Sequence, residues 1–159
     1  MLPDNLKDRA VPAELESWDA DALTGGGDEL GETWLGVRPA RIVDVCRQLK
    51  EQLGFVRLSA ITAVDRGTPG ARFELVYFLH SLSRNQRLKL KVAVEAEIES
   101  VCPVWEGANW YEREVADLFG VRFLNHPDPR RILMPDYWEG HPLRKDFPVD
   151  GHKYDYRGE

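Results

Sequence analysis

Five prolines, at positions 127, 129, 135, 142 and 148, punctuate the last third of this chain, and they constrain what it can fold into more than any other feature. Each removes a backbone donor and fixes its own φ, so the stretch from Asn125 to Pro148 cannot form a helix or a central strand. Fully extended, its 24 residues would reach about 80 Å, more than the width of a small domain. The stretch also carries Ile132, Leu133, Met134, Tyr137, Trp138, Leu143 and Phe147. A disordered linker does not hold that many large apolar groups. The expectation is an irregular arm, residues 125–159, that docks on a partner.

Upstream, the periodicities describe an ordinary α+β domain over residues 31–124. Thr33 to Val37 reads as a first strand. Ile42, Val45, Cys46, Leu49 and Leu53 share one face of a helix opened by Pro39 and ended by Gly54. Phe55 to Asp65 reads as a central strand, Arg66 to Gly70 as a turn, and Phe73 to Leu79 as a strand apolar on both faces. Leu88 to Val92 alternates apolar residues with Lys89 and Lys91, a pattern that protects a sheet edge. Glu95 to Glu99 has helical propensity. Together these predict a mixed or antiparallel sheet of about four strands with helices mainly on one face. Residues 1–30 read as a weakly ordered segment, with Gly25-Gly26-Gly27 as a linker and not a phosphate loop, because the G-x-G-x-x-G spacing fails at Leu30.

A short helix follows from Asn109 to Phe119. Asn109 and Glu112 have capping-box spacing, and Gly120 stops the helix. Tyr111, Val115, Leu118 and Phe119 form the packing face. Glu112, Arg113, Glu114 and Asp117 then fall on a solvated face, with Arg113 and Asp117 as an i, i+4 ion pair. Val121 to Leu124 is a short strand.

Composition excludes several functions. The 159 residues allow one core. A net charge of −6 opposes non-specific binding to nucleic acid or anionic lipid. Two cysteines, Cys46 and Cys102, are too few for an iron–sulfur cluster or zinc ribbon and read as buried thiols. There is no signal-peptide h-region, and no apolar run approaches the roughly 20 residues that span a bilayer. A metal-dependent hydrolase would draw on His126, Asp128, His141, Glu112 and Asp117, but no H-E-x-x-H pairing is present. An RNA-binding sheet would need aromatic residues with basic flanks, which the acidic balance disfavours.

The run E-R-E-V-A-D-L-F-G from Glu112 to Gly120 carries a more specific signal. It is followed by His126-Pro127, Arg130-Arg131-Ile132-Leu133, Pro135-Asp136, and Trp138-Glu139-Gly140 with Pro142-Leu143-Arg144-Lys145-Asp146-Phe147-Pro148. This ordered signature resembles the 30 kDa subunit of respiratory complex I, the NADH-quinone oxidoreductase. Leu58 to Asp65, Val76 to Leu79 and Ala108 to Trp110 are similar to the same family, so the likeness spans roughly residues 30–148. The chain departs from the common pattern at Ala116, Asn125, Pro129 and Phe147, and none of these removes a charged position.

The resemblance implies a non-redox, structural subunit of the peripheral arm of NADH:quinone oxidoreductase. It implies packing on the 49 kDa subunit and neighbouring iron–sulfur subunits. FMN, iron–sulfur clusters and quinone would be held elsewhere in the complex, with no cofactor bound by this chain. The location implied is peripheral, on the cytoplasmic side of the bacterial inner membrane. Related subunits serve membrane-bound hydrogenases and ferredoxin- or F420-linked complexes. In this reading the signature residues form the partner interface, with Arg130, Arg131, Arg144 and Lys145 pairing with partner groups and Leu133, Trp138 and Phe147 filling partner pockets.

Overall fold

A computed structural model describes residues 2–7 and 9–148. The sheet has five strands, one more than expected: β1 (Leu23–Glu29), β2 (Glu32–Val37), β3 (Arg57–Asp65), β4 (Phe73–Ser81) and β5 (Gln86–Val94). Their order across the sheet is β1-β2-β5-β4-β3. β1 and β2 form a hairpin, β2 runs parallel to β5, and β5, β4 and β3 are antiparallel neighbours.

This order reverses two expectations. β3, expected at the centre, is an edge, and β5, expected at an edge, lies between β2 and β4. Lys89 and Lys91 are therefore not edge guards. Lys89 pairs with Glu32, and Lys91 pairs with Glu29 at 3.2 Å and lies 4.4 Å from the centre of the Trp34 ring. Alternation shows that one face of a strand is polar, but it does not show which strands lie beside it.

The N-terminal segment also departs from expectation. Helices α1 (Asp4–Lys7) and α2 (Ala10–Trp18) bring Leu2, Leu6, Val11 and Leu15 into the core. The triple glycine is the middle of β1 and not a linker. A Cβ at Gly26 would come within 2.7 Å of Leu6, and one at Gly27 within 2.8 Å of Trp34. Glycine here admits close-lying side chains, one of the few roles it has inside a strand.

Helix α3 (Ile42–Glu51) crosses from β2 to β3 and buries Ile42, Val45, Cys46 and Leu49. Gly54 adopts the left-handed conformation expected of it. Residues 97–99 form a short strand, β6, against the helical propensity of that stretch, and β6 pairs in parallel with β7 (Arg122–Leu124). Helix α4 (Ala108–Phe119) lies between them in sequence. It packs on the sheet face that carries Tyr77, through Ala108, Val115 and Phe119. Both cysteines are free and buried. Among the described residues no helix is long and apolar enough to cross a membrane.

Candidate partner-docking site

The solvated face expected on α4 is not solvated. The buried stripe runs through Ala108, Glu112, Val115 and Phe119, so Glu112 sits in the middle of it with a fully buried carboxylate, and Asp117 is 3% exposed. The capping box is absent as well. Gly107 precedes the helix, and Asn109 lies inside it.

Glu112 fastens the loop that leaves β6. Its carboxylate accepts hydrogen bonds from Ser100 Oγ at 2.6 Å and the Val101 N–H at 2.7 Å, with Cys102 Sγ at 3.4 Å. Burial raises the pKa of Glu112 above the ordinary range, against the opposing pull of these donors and of His126. Burial likewise pushes the Cys102 thiol up to about 11.

His126 Nε2 lies 3.7 Å from the Glu112 carboxylate and 3.2 Å from the Asn109 carbonyl. The Asp128 N–H donates to His126 Nδ1 at 3.0 Å. That bond leaves Nδ1 without a proton, so the proton is on Nε2 and is given to the Asn109 carbonyl.

Cys102, Glu112 and His126 are the one set of three potential ligands that converges among the described residues. Their geometry does not suit a metal. A histidine ligating through Nε2 needs its proton on Nδ1 as a donor, and here Nδ1 is an acceptor. Cys102 bonds the Glu112 carboxylate, and His126 gives its Nε2 proton to the Asn109 carbonyl. The other residues of the hydrolase reading do not join the set: Asp128 pairs with Arg130 and Arg113, and His141 bonds the backbone carbonyl of Asp117.

The arm folds back on α4, and its fixings turn Arg131 and Arg144 inward against the expectation that they reach a partner, while Arg130 and Lys145 stay exposed. The expected Arg113–Asp117 pair does not form. Arg113 instead donates to the carbonyls of Arg130 and Arg131 at 2.8 and 3.0 Å. Asp117 Oδ2 accepts from the consecutive N–H groups of Ile132, Leu133 and Met134 at 3.1, 2.8 and 2.8 Å, and Oδ1 accepts from Arg131 at 2.5 Å. Burial would raise the Asp117 pKa, but the donors of Met134, Leu133, Ile132 and Arg131 outweigh it and hold the carboxyl below the ordinary range.

The second half of the arm closes the end of α4. A helix leaves its last carbonyls without partners. Here His141 Nδ1 bonds the Asp117 carbonyl at 2.8 Å, the Leu143 N–H that of Leu118 at 3.0 Å, and Arg144 those of Phe119 at 2.6 Å and Gly120 at 3.4 Å. The guanidinium adds a positive charge where the helix dipole favours one. Beyond it, the Lys145 N–H bonds Asp65, and Asp146 pairs with Arg72, which also pairs with Asp65. Arg72 keeps the carboxyls of Asp65 and Asp146 below their ordinary range.

Gly120 makes this closure possible. Its φ is +74°, and a Cβ there would meet Arg144 and His141 at 2.5 Å. Trp138 and Phe147, expected to fill partner pockets, stack on each other with centroids 6.3 Å apart.

With the arm's polar groups so used, a different subset faces outward. Leu133 is 58% exposed, Tyr137 74% and Leu143 52%, and Trp110, one turn ahead of Arg113 on α4, is 70% exposed. Glu114, Pro127, Arg130, Pro135, Asp136, Gly140 and Lys145 are exposed as well, while Ile132 and Pro142 are half-buried. Sequence spacing does not pick out this set, because inward and outward residues interleave along the irregular arm.

The comparisons agree with this architecture. Residues 35–153 match the family described as respiratory-chain NADH dehydrogenase, 30 Kd subunit. The chain is 50% identical over 125 residues to an NADH-quinone oxidoreductase subunit of Geobacter sulfurreducens, covering 76% of this chain and 77% of that one. It is 43% identical over 149 residues to the corresponding NADH-quinone oxidoreductase subunit of Roseiflexus castenholzii, covering 91% and 86%. Among solved structures, a chain of the membrane-bound sulfane sulfur reductase, an archaeal respiratory membrane complex, superposes with a TM-score of 0.72 at 27% identity, covering 86% of this chain and 84% of that one. The chain therefore belongs to the family of the 30 kDa subunit of respiratory-chain NADH dehydrogenase, the NADH-quinone oxidoreductase.

Proposed function

We propose that this chain is a non-redox, structural subunit of the peripheral part of a proton-translocating NADH:quinone oxidoreductase. Its role there is to hold the complex together while FMN, the iron–sulfur clusters and quinone are carried by its neighbours. One observation carries the reading: the arm is pinned to α4 through its backbone and basic groups, and this leaves Leu133, Tyr137 and Leu143 facing solvent. Large apolar groups held outward on an ordered backbone act as interface anchors, since their ordering cost is met before the partner arrives.

The partner in this reading is the 49 kDa subunit that helps form the quinone site, with the iron–sulfur subunits next to it. The isolated chain has no NADH or quinone chemistry of its own. The chain sits on the cytoplasmic side of the membrane and reaches it only through the complex. A second reading, in which the same subunit serves a complex with another electron donor, is favoured by its likeness to the archaeal sulfane sulfur reductase chain. NADH:quinone activity of the purified complex separates the two.

The test of the assembly role is the triple variant Leu133→Ala, Tyr137→Ala, Leu143→Ala. It should leave thermal unfolding of the chain unchanged and reduce the intact complex seen on native gels at least tenfold. An unchanged complex would overturn the reading.

A further inference from the structure

The sheet has a second face, opposite the one that α4 packs against. Tyr77 is fully buried in the core with Leu75 and Leu79, so Phe78 and His80, which alternate with them along β4, point the other way. On that side a groove of about 450 Å3 runs past Arg57, Ser59, Phe78, His80, Arg87 and Lys89. A second groove of about 430 Å3, lined by Arg9, Thr33 and Asn85, shares Glu32, His80 and Arg87 with the first. Together they cross the ends of β2, β5, β4 and β3.

The register places Arg57 opposite His80, and His80 opposite Arg87. Two guanidiniums therefore flank an imidazole in one row across three strands, about 10 Å apart at the usual strand spacing. In the described residues neither Arg57 nor Arg87 makes an ion pair, although the chain as a whole is acidic. Glu32 is the one carboxylate that lines either groove, and it is already paired with Lys89. The row is a local concentration of positive charge that Glu32 offsets only in part. An anionic ligand would offset the rest, and guanidiniums are suited to grip carboxylates with paired hydrogen bonds.

The aromatic groups on this face decide which anion. Lys89 lies 5.7 Å from the centre of the Phe78 ring, and Lys91 covers Trp34 at 4.4 Å. Both rings are occupied by ammonium groups and offer no free platform on which bases could stack. The net charge of −6 also repels a long polyphosphate. A short acidic stretch of protein needs no stacking platform and brings fewer like charges than a long polyphosphate. The width of four strands, about 14 Å, accommodates about four residues of extended chain.

We infer that the groove along Arg57, His80 and Arg87 is a second docking site, which takes an extended, carboxylate-bearing segment of a partner protein. The subunit would then bridge two partners, one on the arm side and one across the sheet.

The test uses the full chain and a fluorescently labelled octapeptide of alternating glutamate and serine, with binding read by anisotropy at low salt. Binding should weaken at least tenfold when glutamine replaces the glutamates. It should weaken at least tenfold again in Arg57→Glu, Arg87→Glu, and to an intermediate degree in Arg57→Gln, Arg87→Gln. Both positions are exposed, so thermal unfolding of either variant should match the parent. The arm variant Leu133→Ala, Tyr137→Ala should bind the peptide as the parent does, which separates this site from the arm-side interface. Equal binding of the glutamine peptide would overturn the inference. So would insensitivity to the arginine substitutions, or tighter binding of an octathymidylate than of the acidic peptide.

Discussion

At the scale of single residues, two buried carboxylates of α4 do opposite things. Asp117 is a fixed anion. Its folded pKa is depressed, so the native state binds fewer protons than the unfolded state in the window below the ordinary value of 3.8. The stability it contributes is complete above that value and is lost as pH falls through the lower folded one. Lowering the pH from about 5 to about 2 should therefore reduce the protection of the Ile132, Leu133 and Met134 amides, measured against the intrinsic exchange rate at each pH. Asp117→Ala, which removes the acceptor, should show low protection at these amides throughout and no such transition. Glu112 is raised instead, so ionising it costs stability as pH rises past the ordinary carboxylate range. Its hydrogen bonds are still needed. Glu112→Ala leaves the Val101 N–H and the Ser100 hydroxyl buried without an acceptor, which costs about 1 to 3 kcal/mol each. Glu112→Gln keeps an acceptor and should lose less than half as much in urea unfolding.

At the scale of elements, the arm and α4 form one unit, because the arm supplies what the end of the helix lacks. Gly120→Ala tests this. It places a Cβ against Arg144 and His141 in a left-handed backbone, and the strain alone costs about 1 kcal/mol or more. The amides of Leu143 and Arg144 should lose protection while those of β4 keep theirs. The N-terminal elements behave as core. Leu6 and Leu15 are fully buried, so Leu6→Ala and Leu15→Ala should each destabilise the chain by about 2 to 5 kcal/mol in denaturant unfolding. A linker-like segment would show no such loss.

At the scale of the whole molecule, the sheet separates two surfaces with different chemistry. The arm side presents apolar groups on a pinned backbone, and the opposite face presents a row of positive charge. Loss of the arm's apolar groups should abolish assembly without loss of fold, whereas Gly120→Ala should weaken both. Native gels read beside thermal unfolding distinguish these outcomes. Much of this was determined by the sequence alone. The α3 stripe, the turn after β3, the left-handed Gly54, the helix stop at Gly120, the two buried thiols and the proline-broken arm follow from local periodicity and backbone sterics. The signature from Glu112 to Pro148 also carried the family. Tertiary structure decided the rest. Whether β3 or β5 lies at an edge depends on strands far apart in sequence. Whether a glycine run is a linker or a strand depends on Leu6 and Trp34 coming to lie on it. Whether Glu112, Asp117, Arg131 and Arg144 face a partner or their own domain depends on where unpaired donors and carbonyls end up. A charged side chain on a helix reads as solvated until the chain returns to cover it, and here the arm returns because the end of α4 and a buried carboxylate have bonds left to make.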